Sequence, residues 1–125
     1  MNERRFVIAA SLLLLIGVAA GAFGAHALRA MVTADRLAVW HTAVLYQLIH
    51  GLGILGIVAL SPRFSGALLR WAARLMLAGT LVFSGSLYVL VLSDSSWLGA
   101  ITPLGGLAFI GAWAMVATAA YRAPR

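Results

Sequence analysis

The chain has 125 residues, of which 63% are hydrophobic and 10% charged, with a formal net charge of +6 and no cysteine. A soluble domain carries about 25% charged residues to cover its surface, so this composition excludes a water-soluble globule and requires apolar surface to face lipid. The nine cations are all arginines set at the ends of apolar segments, which argues against a nucleic-acid interface, and the lack of cysteine removes disulfides, thiolate metal sites and cysteine nucleophiles.

A spanning helix needs about 20 mostly apolar residues, and four segments meet that length, at about 6–24, 39–60, 71–92 and 103–121. Backbone groups cannot be left unpaired in hydrocarbon, so each span is expected to be helical. The expected fold class is therefore all-α: an integral membrane four-helix bundle forming a single membrane domain over residues 1–125. The first span has the basic start of a signal peptide (Arg4, Arg5), but its apolar run exceeds the roughly 7–15 residues of such a segment, and a retained helix is expected.

Before the second span, Thr33 suits an N-cap and Asp35 the first turn, where the helix dipole favours an acid. Helix 2 is thus expected to begin at the interface near Ala34. Pro62 disfavours helical geometry at Ser61 and should end the helix. Ser65 is a candidate cap for the third span. SDSSW (93–97) reads as a short polar loop, and Thr102–Pro103 as an N-cap followed by a first helical proline. The alternative is a helix from near Trp97 kinked at Pro103.

With four spans, Arg4, Arg5, Arg63, Arg70, Arg74, Arg122 and Arg125 share one side, and Arg29 and Arg36 the other. Positive residues stay inside, so both termini are expected in the cytoplasm and the protein in a cell inner membrane. Helix packing in lipid favours small residues. Gly17, Gly21 and Gly24 in the first span, Gly79 and Gly85 in the third, and Gly105 and Gly106 in the fourth are the expected close-approach positions.

The second span contains HTAVLYQLIH (41–50). Tyr46, Gln47 and His50 share an arc of about 100°, while His41 lies opposite and about 13 Å from His50 along the axis, too far for one metal site. Ser84, Ser86 and Tyr88 of the third span fall at a similar depth to Tyr46 and Gln47, with His26 and Thr102 also toward the outer half. His26, Tyr46, Gln47, His50, Ser84, Ser86, Tyr88 and Thr102 therefore form a candidate polar pocket. The alternative is that they simply hydrogen-bond one another across the helices.

GAFGAHAL (21–28), YQLIH (46–50), FSGSLY (83–88) and ITPLGG (101–106) together resemble the transmembrane protein 256 family, a domain of unknown function whose members occur in bacterial inner membranes and in mitochondria-bearing cells. The resemblance spans nearly the whole chain and implies a small four-helix membrane protein; it assigns no activity. Leu45 stands where relatives often carry a polar residue.

Phosphate loops, HExxH and paired buried carboxylates are missing from the sequence. The expectation is a non-enzymatic structural or accessory subunit of a membrane complex, without a cofactor or metal. Its partners would be the lipid bilayer and another membrane protein or a second copy. The runner-up readings are a lipid or quinone binder using the polar pocket, and an oligomeric channel or transporter. Haem ligation by His26 and His50 is disfavoured by their different depths.

Overall fold

The structure is a computed structural model that describes residues 2–64 and 66–124. Its four long helices are α1 (Glu3–Ala25), α2 (Ala34–Leu60), α3 (Ala67–Ser93) and α4 (Thr102–Arg122), with short 3₁₀ turns at Leu28–Ala30 and Ser96–Ala100. All four are long and apolar enough to cross a membrane. At 1.5 Å per residue, the 27 residues of α2 and of α3 reach about 40 Å, beyond a 30 Å hydrocarbon layer, so each has turns left for the headgroup region or for tilt.

The helix starts have local causes. Asn2 Oδ1 accepts from the Arg5 amide at 3.3 Å, and Glu3 sits in the first turn of α1. Thr33 Oγ1 accepts from the Arg36 amide at 3.3 Å, so α2 starts at Ala34 as its capping pattern predicts. α3 starts after Gly66, whose φ of 120° a side chain would strain, and this N-cap has no side-chain bond. The cap expected from Ser65 lies outside the described residues.

Two expected boundaries differ in detail. α2 ends at Leu60, before Pro62, but Ser61 keeps helical dihedrals. Its Oγ donates to Val58 O at 2.8 Å and also lies 2.9 Å from Glu3 Oε1, which offsets the preference imposed by the proline and ties the end of α2 to the start of α1. At α4, Thr102 is not the N-cap. The Ser96–Ala100 turn runs straight into the helix through Ile101 in αR geometry, leaving no extended residue to act as a cap. The Thr102 hydroxyl instead lies 2.6 Å from Ser86 Oγ and 3.3 Å from Leu98 O.

Each helix packs antiparallel on the next: α1 on α2, α2 on α3, α3 on α4, with α1 and α3 meeting only marginally. α2 and α3 are the central pair, with 39% of their apolar windows buried against 17% for the outer helices. Leu15, Val18, Leu104, Leu107 and Ile110 are all more than 60% exposed on α1 and α4, an outward apolar surface that only lipid or another membrane protein can cover.

The interior has two apolar clusters. One, toward the termini, gathers Ala10, Leu13, Ile54, Ile57, Leu69, Met76 and Ala112. The other, toward the opposite face, gathers Leu28, Trp40, Val44 and Val91. Between them in sequence lie the buried polar residues Gln47, His50, Thr80 and Ser84.

Close backbone approach is concentrated at a few glycines. A Cβ on Gly105 would stand 2.6 Å from the Phe83 amide nitrogen and 2.8 Å from Gly79 O. One on Gly79 would meet the Phe109 ring at 2.8 Å, one on Gly24 the Trp40 ring at 2.6 Å, and one on Gly17 the Leu48 side chain at 2.8 Å. Gly21 is looser, at 3.4 Å from Val44, and Gly85 and Gly106 face open space. Those last two were expected among the packing glycines. No atom of a neighbouring helix lies within 4 Å of the Cβ position of either.

Candidate functional site

The polar side chains expected in one pocket separate into three sets. The first is a row of cross-links between α1, α2 and α3. Gln47 Nε2 donates to Leu13 O of α1 at 2.7 Å, and Tyr88 OH of α3 donates to Gln47 Oε1 at 2.7 Å. Ser84 Oγ donates to Ala43 O at 2.7 Å, and Trp40 Nε1 to Ala20 O at 2.8 Å. Gln47 therefore uses its donor and its acceptor on two different helices, which fixes the register of all three. Among the described residues, no buried side-chain nitrogen or oxygen lacks a partner.

The second set is the contact of Ser86 with Thr102, which closes the α3–α4 end. Ser86 Oγ also lies 2.9 Å from Phe83 O.

The third set centres on His50. Its Nδ1 lies 2.8 Å from Tyr46 O. A carbonyl only accepts, so Nδ1 carries the proton. Nε2 is then the acceptor, and Trp113 Nε1 of α4 donates to it at 3.0 Å. The ring stacks on Phe109, with centroids 3.5 Å apart and planes 8° from parallel. Tyr46 extends the aromatic row, 4.6 Å from Phe83 and 6.0 Å from Phe109. These rings border a groove of about 430 Å³ between α2 and α4, whose wall also includes Gly106 and Ile110. Gly106, with open space at its Cβ position, widens this groove and does not join two helices. Both nitrogens of His50 are engaged, so the ring gives the groove shape and a flat apolar face but no open lone pair.

His26 stands apart from all three sets. It is exposed at the C-terminal end of α1, where its amide closes the last turn onto Ala22 O at 3.2 Å. Among the described residues, no group of three or more His, Asp or Glu is placed to hold a metal ion.

The family model described as "Protein of unknown function (DUF423)" matches residues 20–106. The chain belongs to the DUF423 family. Its relatives carry membrane-protein names. The UPF0382 membrane protein YwdK of Bacillus subtilis is 45% identical over 118 residues, covering 94% of this chain and 96% of the relative. The UPF0382 membrane proteins SH2409 of Staphylococcus haemolyticus and SAB0533 of Staphylococcus aureus are 42% and 43% identical over 117 residues, each covering 94% of this chain and 95% of the relative. No solved structure matches the chain. This DUF423 chain is thus a small four-helix membrane protein.

In this DUF423 protein the groove residues on α4 were the ones missed by sequence reasoning. Trp113 and Phe109 are one turn apart, an i, i+4 aromatic pair at the spacing of Tyr46 and His50 on α2. That matched spacing was the available signal, but an aromatic pair in an apolar helix reads equally well as lipid-facing. Gly51 and Gly53 were also missed. A Cβ on Gly51 would meet Leu14 at 2.9 Å, and one on Gly53 would meet Met76 Sδ at 2.9 Å.

Proposed function

We propose that this protein is a non-enzymatic accessory element of a cell inner-membrane complex, with both termini in the cytoplasm. The observation that carries this reading is the use made of the buried polar groups. Gln47, Ser84, Tyr88 and Trp40 all bond helix to helix, so these groups hold the bundle together. A rigid, internally satisfied core under wide apolar outer faces on α1 and α4 suits a part that others pack against. The four motifs quoted above support kinship with the transmembrane protein 256 family as part of the same reading. Extraction from the native membrane in a mild detergent, followed by in-membrane crosslinking and mass analysis, should recover a stoichiometric membrane-protein partner. A partner-free monomer that restores the wild-type phenotype to a deletion strain would overturn the proposal.

A second reading, a binding site for a planar apolar molecule such as a quinone ring, is favoured by the aromatic groove. Tyr46 borders that groove with its hydroxyl unpaired among the described residues, while its backbone carbonyl is held by His50.

A further inference from the structure

We propose that the groove between the first turns of α1 and of α3 is a binding site for one anionic phospholipid, its phosphodiester held by Arg5, Arg70 and Arg74. The groove has a volume of about 380 Å³ and is walled by Arg5, Phe6 and Ala9 from α1 and by Arg70, Arg74 and Leu77 from α3. It exists because α1 and α3 each pack on α2 and barely touch one another, so their shared end is open to lipid.

Three features set this groove apart from a general scatter of positive charge. First, its cations have no internal counter-ion among the described residues. The only ion pair among the described residues joins Arg36 to Asp94, and Asp35 lies at that same opposite face. Glu3, the one acid at the termini face, lies 2.9 Å from Ser61 Oγ and pairs with none of these arginines. Second, polarity changes with depth in the sense of a phospholipid. Arg5 is at the mouth and Ala9 one turn deeper on α1, about 6 Å further in. On α3, Arg70 is at the mouth, Arg74 one turn in with its head able to reach back, and Leu77 deeper still. A phosphate at the mouth therefore leaves acyl chains against Phe6, Ala9 and Leu77. Third, the arginines come from two helices and bracket the space between them. Arg74 is steadied over the Trp71 ring, 4.9 Å from its centroid. Both α1 and α3 also begin at this face, so their dipoles add to the same sign of field. A zwitterionic headgroup would bring a cation against three guanidinium groups, so the site selects lipids with uncompensated negative charge.

The test uses the full chain, purified in detergent and titrated with phosphatidylglycerol, phosphatidylcholine or inorganic phosphate, with bound species read by native mass spectrometry. One phosphatidylglycerol per chain should be retained under activation that strips phosphatidylcholine, and inorganic phosphate should not displace it. Arg70→Gln/Arg74→Gln should weaken retention about thirtyfold, since each cation near an anionic headgroup is worth about a factor of five. Arg63→Gln/Arg122→Gln removes the same charge from elsewhere on the same face and should leave retention unchanged. Ala9→Phe fills the floor with every arginine intact and should release the lipid, which gives a reading even if the arginine variant fails to insert. Equal weakening by the two double variants, equal retention of phosphatidylcholine, displacement by phosphate, or full retention in Ala9→Phe would each overturn the proposal.

Discussion

Tyr46 sits within one residue of the midpoint of α2, which runs from Ala34 to Leu60, so its phenol lies well inside a helix long and apolar enough to span the membrane. A hydroxyl without a partner there costs about 1–3 kcal/mol. Gln47, its neighbour, shows the contrasting solution. It turns inward and bonds α1 and α3 at once. Links of this kind in membranes average about 0.6 kcal/mol, too little to explain much stability, but they fix which residue faces which. Tyr46 turns outward to the groove of Phe83, Phe109 and Trp113, where a ring bearing a carbonyl could stack and accept its proton. If that second reading holds, native mass spectra of gently extracted protein should show an adduct of quinone mass. Gly106→Leu, which fills the groove without meeting any neighbour at its Cβ, should abolish the adduct. Tyr46→Phe should weaken it about fivefold, the worth of one hydrogen bond near 1 kcal/mol. Identical spectra for wild type and Gly106→Leu would remove the idea.

The small residues of the helices differ sharply in what they do, although they look alike in sequence. Gly105 and Gly79 bring α4 and α3 into backbone contact, and the atoms nearest a Cβ on Gly105 are a backbone nitrogen and a carbonyl oxygen, which cannot step aside as a side chain can. Gly105→Ala should therefore destabilise by about 1–3 kcal/mol, the cost of overpacking. Gly85→Ala meets nothing within 4 Å and should be neutral, or stabilise by up to about 1 kcal/mol through helix propensity. Unfolding midpoints in mixed micelles would check the pair, and an equal loss at both positions would contradict the packing described. The helices themselves were legible because uninterrupted apolar runs of spanning length admit one backbone solution in lipid. The cap at Thr33 was legible because capping is local. Azimuth was not legible, because small residues recur on every face of these helices and hydrophobic periodicity is weak when the outside is as apolar as the inside. The same loss of contrast hid Trp113 as the partner of His50, and it let a single pocket be inferred where the polar groups form three sets.

The molecule as a whole is polar along its axis. Arg4, Arg5, Arg63, Arg70, Arg74 and Arg122 lie at the termini face, and Arg29 and Arg36 at the other. Arg36 is not a free charge. Its guanidinium pairs with Asp94 and donates to Leu90 O at 3.2 Å, closing the end of α3 where Asp94 takes left-handed geometry. Asp94 is 79% exposed at its side chain, so the pair adds little stability. Positive segments resist translocation, and the arginine distribution presses toward termini inside. The chain has no cysteine, so single-cysteine reporters read without background. Ser96→Cys, in the α3–α4 connection, should react with a membrane-impermeant maleimide in intact cells, and Pro62→Cys, in the α2–α3 connection, only after permeabilisation. The reverse pattern would place the arginine-rich face outside, and the anionic-lipid groove would then open to the outer leaflet. Labelling of both sites in intact cells would mean that the charge difference does not fix a single orientation. The asymmetry between six arginines at the termini face and two at the other, among the described residues, predicts a single orientation.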